Sequence, residues 1–209
     1  MLHGDLIARG SGDPTIDNDV LTSWAQKLRN QGIHQVNGNI IGDDRVAIGE
    51  TVRRGSTSPQ PRLGFGWSWD DLAFGFAAPV GPLQYHENVV AIRITPNRAT
   101  DLPAEVFIQN AGSGLTLINQ TTTTSRHEPS LIQLQRAAGK AELVVSGSIG
   151  VGTSTIIRPV SVANPTSFFV QALREALEAE GVVVSGDAVD IDRLTKTQQA
   201  SATNGLQGL

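Results

Sequence analysis

A run of short alternating segments in the middle of the chain limits what this sequence can fold into. The segments are rich in β-branched and apolar residues, and turns such as Pro96-Asn97 and Gly139-Lys140 separate them. They cover residues 89–94, 104–109, 115–119, 120–126, 131–136 and 141–149. This spacing is typical of an all-β sandwich or barrel-like unit. No helical periodicity interrupts residues 75–155, so we expect that span to be built from strands.

Helical patterns occur on both sides of this run. Leu21, Trp24, Ala25 and Leu28 recur at helical spacing after the possible caps at residues 17–19. We expect Gly32 to end this helix and residues 36–42 to form a strand.

The second helical pattern follows residue 164. Asn164 can cap it, and its apolar face consists of Phe169, Leu173, Ala176 and Leu177. Gly181 ends it, and residues 182–184 and 188–191 read as strands.

These two helix–Gly–strand units resemble each other. Leu28-x3-Gly32 matches Leu177-x3-Gly181. The fold class predicted is therefore α+β and β-rich, with an α+β domain of residues 1–74 plus 156–194 that an all-β domain of residues 75–155 interrupts. Residues 195–209 are mostly small and polar and predict a flexible tail. If the chain is a module inserted in a larger domain, its entry and exit should lie close together, so residues near Leu6 and Ile191 should be neighbours in one sheet.

The stretch of residues 66–96 lies where the first helix-containing segment meets the strand-rich run. It contains two of the three Trp, and it reads as a hinge with aromatic side chains packed at the joint. We expect Trp67, Trp69, Phe74 and Phe76 to pack there. The alternative is that Trp67 and Trp69, which share one face of an extended chain, stack on sugar rings.

Composition excludes several classes of function. The 209 residues carry a net charge of −4 and a pI near 5.5, which argues against a nucleic-acid partner. No apolar run approaches the roughly 18 residues of a transmembrane segment. The first residues lack the basic region and apolar core of a signal peptide. The absence of Cys excludes disulfides and thiolate chemistry.

The remaining polar residues give weak signals. Asp43-Asp44 could bind a cation or act in acid–base chemistry, but a solvated turn is the favoured reading. The four His residues show no i, i+4 pair, so no metal site and no cofactor site are predicted. We read Arg53, Arg54 and Arg62 as a solvated loop rather than as a contact to an acidic glycan peptide. The four His are His3, His34, His86 and His127.

Several pieces of sequence, in order, resemble a known enzyme family. They are Gly4-Asp5-Leu6, Gly10-Ser11-Gly12-Asp13-Pro14-Thr15, Val36-Asn37-Gly38-Asn39-Ile40, Trp67-Ser68-Trp69-Asp70-Asp71, Ala78-Pro79-Val80, Glu87-Asn88-Val89-Val90 and Gly181-Val182-Val183-Val184-Ser185-Gly186. Over about residues 3–194, the chain resembles the low-molecular-mass penicillin-binding proteins of the DacB kind. The resemblance implies a serine-type D-alanyl-D-alanine carboxypeptidase or endopeptidase that acts on peptidoglycan outside the cytoplasm, in the periplasm or its equivalent.

The catalytic motifs of such enzymes are missing from this sequence. The mechanism needs Ser-x-x-Lys, Ser-x-Asn and Lys-Thr-Gly. No Ser stands three residues before a Lys, and no Ser-x-Asn occurs. Lys196-Thr197-Gln198 lacks the glycine of the third motif. No catalytic residue is therefore predicted, and Ser68 and Ser161 remain nucleophile candidates only if an unfamiliar site exists.

Three hypotheses follow. The resemblance favours a non-catalytic accessory module whose partner is the transpeptidase-like catalytic domain of the same parent chain, with peptidoglycan as a further candidate partner. The second hypothesis is a free-standing module that binds cell-wall glycan or a protein. The third is a hydrolase with an unfamiliar site, because a Ser-His-Asp triad need not be adjacent in sequence.

Overall fold

The computed structural model describes residues 1–45, 67–110 and 112–203, and of Thr203 only the backbone. Arg53, Arg54 and Arg62 lie outside the described residues. Contacts divide the chain into two compact units. Unit 1 comprises the described parts of Met1–Arg62, Val80–Glu87 and Asn164–Leu209, and unit 2 those of Leu63–Pro79 and Asn88–Ala163.

The described residues form three α-helices and twelve strands. The helices are α1 (Asn18–Asn30), α2 (Pro165–Ala179) and α3 (Lys196–Thr203). The strands of unit 1 are β1 (Leu2–His3), β2 (Leu6–Arg9), β3 (Gln35–Asn37), β4 (Ile40–Asp43), β11 (Val183–Val184) and β12 (Ala188–Asp190). The strands of unit 2 are β5 (Val89–Thr95), β6 (Glu105–Ile108), β7 (Thr116–Thr124), β8 (Leu131–Gln135), β9 (Glu142–Gly150) and β10 (Ile156–Ser161).

Helices α1 and α2 confirm the two helical patterns and their ends. Asp17 Oδ1 accepts the Val20 N–H at 3.0 Å, and Asn164 Oδ1 accepts the Ser167 N–H at 2.9 Å. Gly32 and Gly181, just past the two helices, have φ of +86° and +79°, a conformation that favours glycine. The helices pack against each other, with the Trp24 and Phe169 rings 6.3 Å apart.

The strands of unit 1 form two parallel three-stranded sheets, in the orders β1-β3-β11 and β12-β4-β2. Leu6 and Ala188 both align with Ile40, so the strands near Leu6 and Ile191 share a sheet, as expected from the sequence. The single strand predicted over residues 36–42 is wrong, because β3 and β4 belong to different sheets. Asn37-Gly38-Asn39 separates Val36 from Ile40, and this Asn-Gly turn signal marks the break that the single-strand prediction missed.

Three such breaks align across unit 1, and we call them the Gly-Asx ladder: Gly4-Asp5, Gly38-Asn39 and Gly186-Asp187. The Asn39 N–H donates to Asp5 Oδ1 at 2.7 Å, and the Asp187 N–H donates to Asn39 Oδ1 at 2.9 Å. A Cβ at Gly38 or Gly186 would clash with the carbonyl of the neighbouring break. Glycine therefore permits the close backbone approach, and the following side chain satisfies the N–H groups that leave the sheet.

The segment Val80–Glu87 completes the core of unit 1. The Gly12 N–H donates to Pro82 O at 2.8 Å, and the His86 N–H donates to Ile16 O at 3.0 Å. The buried Tyr85 ring lies 5.0 Å from the Phe168 ring.

The region after residue 195 differs from the expected flexible tail. Residues Lys196–Thr203 form helix α3, in which Gln199 Nε2 donates to Ile191 O and Leu194 O. Its low apolar content hides this helix from a periodicity argument, since no apolar face marks it. The last six residues lie outside the described part of the chain.

Unit 2 contains two three-stranded sheets, in the orders β10-β5-β6 and β7-β9-β8. The first is antiparallel, whereas in the second β7 runs parallel to β9. The two strands predicted over residues 115–119 and 120–126 are one strand, which pairs without interruption from Thr116↔Glu142 to Thr124↔Gly150. The four consecutive Thr continue the strand, because β-branched residues favour extended backbone.

Within residues 88–110 and 112–150 the structure has no α-helix. No helix among the described residues has the length and apolarity needed to cross a membrane. The domain boundaries inferred from sequence, with an inserted all-β domain, stay a proposal.

Candidate functional site

Unit 2 presents a short irregular segment, residues 67–77, which we call the aromatic loop. It contains two single turns of 3₁₀ helix, Trp69–Asp71 and Gly75–Ala77. The Trp69 side chain is 76% exposed and the Phe76 side chain is 75% exposed. The exposure of these two residues does not fit the expectation that they pack at the joint.

The aromatic loop is anchored by its small and aliphatic residues. Leu72, Ala73 and Ala77 are buried, which turns the intervening rings outward. The Ser161 N–H donates to Ala73 O at 3.2 Å, and Phe74 forms a β-bridge with Val160. The loop is thus a fixed extension of the end of β10.

The rings of the aromatic loop have defined neighbours. Trp67 Nε1 donates to Ala77 O at 2.9 Å, which closes the loop on itself. The Phe74 and Phe76 rings stack with centroids 5.4 Å apart and planes 6° apart. Rings held in one orientation lose little conformational entropy when a ligand covers them.

Two carboxylates accompany these rings. Asp70 and Asp71 lie in the first 3₁₀ turn, Asp70 exposed and Asp71 half-buried. Ionised carboxylates accept hydrogen bonds from hydroxyl, amide and ammonium groups. The aromatic loop can therefore offer an apolar stacking surface and hydrogen-bond acceptors to the same ligand.

The two serines considered as nucleophiles lie in different environments. Ser161 is buried, and its Oγ donates to Leu72 O and accepts from Arg136 Nη2, both at 2.6 Å. The Ser161 hydroxyl is buried and donates its proton to a carbonyl, so it has no base that could activate it as a nucleophile. Ser68 is exposed, and no hydrogen bond links its hydroxyl to a described residue.

The acidic pair of unit 1 contradicts the reading as a solvated turn. Asp43 is 1% exposed and accepts two hydrogen bonds from the Arg45 guanidinium, at 2.8 and 3.0 Å, and one from the Arg45 N–H at 3.2 Å. Arg9 Nε donates to it at 3.3 Å. Burial alone raises the pKa of Asp43, but the hydrogen bonds and charges of Arg45 and Arg9 outweigh it, so the pKa lies below its ordinary value. Arg9 is 34 residues away in sequence, so spacing gave no sign of this ion pair.

Asp44 converges with other carboxylates instead. Asp44, Asp190 and Asp192 can bring one oxygen each to within 4.8 Å of the others, and this group contains no histidine. Thr166 Oγ1 donates to Asp44 Oδ2 at 2.9 Å, and Asp190 accepts from Asn164 Nδ2 at 2.9 Å and from the Asp192 N–H at 2.9 Å. These oxygens hold the start of α2 and the turn after β12.

The residues that mimic a catalytic motif lie in α3. Lys196 and Thr197 are exposed in its first turn. Lys196 and Thr197 belong to unit 1, whereas Ser68 and Ser161 belong to unit 2.

Comparison with known proteins identifies a family. The model of the D-Ala-D-Ala carboxypeptidase 3 (S13) family matches residues 1–204. A D-alanyl-D-alanine carboxypeptidase of Actinomadura sp. (strain R39) is 25% identical over 189 residues, which cover 88% of this chain and 33% of that protein. The D-alanyl-D-alanine carboxypeptidase DacB of Haemophilus influenzae is 30% identical over 117 residues, which cover 53% of this chain and 22% of that protein.

Solved structures show the same fold. The crystal structure of penicillin binding protein 4 (dacB) from Haemophilus influenzae aligns with a TM-score of 0.68 at 18% identity, over 92% of this chain and 40% of that chain. The same protein complexed with a β-lactam aligns with a TM-score of 0.58 at 16% identity, over 88% and 36%. This chain spans about a third or less of the length of the curated relatives that it matches.

Proposed function

The chain belongs to the D-Ala-D-Ala carboxypeptidase 3 (S13) family, and from that membership we propose that it is a non-catalytic accessory module of a DacB-type cell-wall peptidase. In this proposal the module does not cleave peptides itself. It supports the work of a serine-type catalytic domain and offers peptidoglycan a binding surface through the aromatic loop.

The observation that carries the non-catalytic role is the missing nucleophile. Acyl transfer by this mechanism requires a serine activated by a lysine three residues on, and the sequence contains no such pair. Because the Ser161 hydroxyl is hydrogen-bonded to Leu72 O and Arg136, we do not expect it to act as a substitute nucleophile. The hydrolase hypothesis therefore ranks below the accessory role.

The binding half of the proposal rests on the aromatic loop. Exposed aromatic rings are costly to leave in water and are common where a protein meets a ligand. The C–H faces of sugar rings are flat and apolar, so Trp69 and Phe76 suit them, and Asp70 can accept hydrogen bonds from hydroxyl or ammonium groups at the rim. Glycan strands with their stem peptides carry all of these groups.

The proposed partner of the module is a transpeptidase-like catalytic domain in the same polypeptide, and the proposed location is outside the cytoplasm. The support is the length of the relatives, of which this chain matches about a third or less. The second candidate function is a free-standing module that binds cell-wall glycan or a protein. The aromatic loop would serve either case, and the reading frame around the gene separates them by the presence or absence of Ser-x-x-Lys and Lys-Thr-Gly.

Sedimentation with insoluble peptidoglycan tests the binding half. We expect the chain to sediment with it, and Trp69→Ala and Phe76→Ala each to weaken binding by about tenfold, as truncation of an aromatic anchor does. Phe107→Ala is the matched control, because Phe107 is also an exposed phenylalanine of unit 2 but lies in β6. Equal binding by all three variants would contradict a role of the aromatic loop.

A further inference from the structure

We propose that Arg136 is a positioning residue for the aromatic loop: its guanidinium fixes the loop from inside unit 2. The consequence for ligand binding rests on the proposed function, whereas the positioning itself does not. Arg136 follows directly after β8 and is 6% exposed. An arginine this deep is uncommon, so its contacts need a reason.

The guanidinium of Arg136 uses its whole set of donors. Nε donates to Leu72 O at 3.1 Å, and Nη2 donates to Leu72 O and to Ser161 Oγ, both at 2.6 Å. Nη1 donates to Ser161 O at 3.2 Å and to Val162 O at 2.9 Å. Five N–H groups thus meet five contacts, which leaves no donor for a ligand.

All these acceptors are uncharged, so charge pairing does not explain the residue. Burial lowers the pKa of Arg136 to about 10, and the group still carries its charge at neutral pH. Burying a charge without a carboxylate costs free energy, and full hydrogen bonding offsets part of that cost. The result of these hydrogen bonds is that the guanidinium holds two backbone segments in a fixed arrangement.

The two pieces are the base of the aromatic loop and the end of β10. Leu72 comes directly after the 3₁₀ turn that carries Trp69, Asp70 and Asp71. Its carbonyl accepts from Arg136 twice and also from Ser161 Oγ at 2.6 Å. Leu72 and Ala73 are buried, whereas Trp69 and Phe76 are exposed. The position of the Leu72 carbonyl, which Arg136 fixes, therefore determines where these two rings project.

A lysine cannot reproduce this arrangement. Its three donors radiate from one nitrogen, whereas the planar guanidinium spans acceptors on two chain segments. If Arg136 acted only as core filling, Arg136→Lys should be tolerated and any damage should spread evenly through unit 2. If it positions the loop, the effect should concentrate at residues 67–77 and Lys should not restore it.

The three tryptophans supply a readout that needs no ligand. Their indole N–H groups give separate signals in a ¹H–¹⁵N spectrum of the full chain. Trp67 and Trp69 report on the aromatic loop, and Trp24, in α1 of unit 1, is the internal reference. We expect Arg136→Gln and Arg136→Lys to shift or broaden the Trp67 and Trp69 signals while the Trp24 signal stays in place.

Two further variants keep the test decisive. Ser161→Ala removes one partner of Leu72 O and leaves Arg136, and it should move the same two signals to a smaller extent. Arg158→Gln changes an exposed arginine of β10 and should move neither. Unmoved loop signals in folded Arg136→Gln would overturn the proposal. Loss of all unit 2 amide signals in both Arg136 variants would overturn it as well, since the residue would then be a general core requirement.

Peptidoglycan sedimentation of the same variants separates this inference from the proposed function. If the aromatic loop binds peptidoglycan, Arg136→Gln should weaken sedimentation as Trp69→Ala does. If Trp69→Ala binds as well as the unchanged chain, the proposed binding function fails, and the indole signals still decide whether Arg136 positions the loop.

Discussion

At the scale of single residues, Asp43 has the most sharply defined electrostatic role in unit 1. Its side chain is nearly inaccessible, and Arg45 and Arg9 keep it ionised where burial alone would favour the neutral acid. Its folded-state pKa lies below the ordinary value of 3.8, which we take for the unfolded chain. The unfolded chain therefore binds a proton first as the pH falls, and the stability that the ion pair contributes is lost below pH 3.8.

We predict that Asp43→Asn lowers the stability of unit 1 at neutral pH by about 2 kcal/mol, because two guanidinium groups lose their anionic partner. The difference from the unchanged chain should stay level down to about pH 5 and shrink below the ordinary Asp pKa. Denaturant unfolding at several pH values, followed by Trp24 fluorescence in a Trp67→Phe/Trp69→Phe background, measures it. Asp187→Asn, at an exposed site, is the control. A difference that is unchanged at about pH 2 would contradict the ion-pair account.

At the scale of elements, the Gly-Asx ladder ties together the two sheets of unit 1. The carboxylate of Asp5 accepts the Asn39 N–H, and the amide of Asn39 accepts the Asp187 N–H. Asp187 ends the series, and no hydrogen bond to its carboxylate is found in residues 1–45, 67–110 and 112–203. Asp5 and Asp187 thus occupy equivalent positions in the ladder, and Asp5 is the one whose carboxylate accepts a ladder hydrogen bond.

We predict that Asp5→Ala destabilises unit 1 by about 1 kcal/mol and speeds exchange of the Asn39 amide hydrogen, which loses its acceptor. Asp187→Ala should change neither by a measurable amount. Native-state hydrogen exchange of the two variants makes the comparison. Equal protection of the Asn39 amide in both would show that the ladder does not contribute.

Local sequence signals predict some features of these elements, and contacts between distant residues determine the others. The caps at Asp17 and Asn164 and the glycines after both helices are local signals, and the helices lie where those signals predict. The hydrogen bond between Asn39 and Asp5, the contact of Arg9 with Asp43 and the contacts of Arg136 join residues more than 20 positions apart. For the candidate site, the sequence drew attention to Trp67 and Trp69 but could not decide their exposure, since an aromatic residue serves a core or a surface equally well.

At the scale of the whole molecule, the chain carries the fold of its family without the motifs that define its chemistry. The family model matches residues 1–204, and the aligned crystal structures belong to a penicillin-binding protein. Ser-x-x-Lys, Ser-x-Asn and Lys-Thr-Gly are absent from all 209 residues. We therefore expect that a β-lactam finds no serine to acylate in this chain.

Labelling with a fluorescent β-lactam tests this claim most directly. The chain is incubated with the probe beside penicillin binding protein 4 of Haemophilus influenzae, a relative that has been crystallised with a β-lactam, and both are read on a denaturing gel. We predict a labelled band for that protein and none for residues 1–209, since no acyl-enzyme forms without a nucleophile. A band for this chain that disappears after pre-treatment with unlabelled penicillin would contradict the account and would make one of its own serines, such as Ser68 or Ser161, a nucleophile.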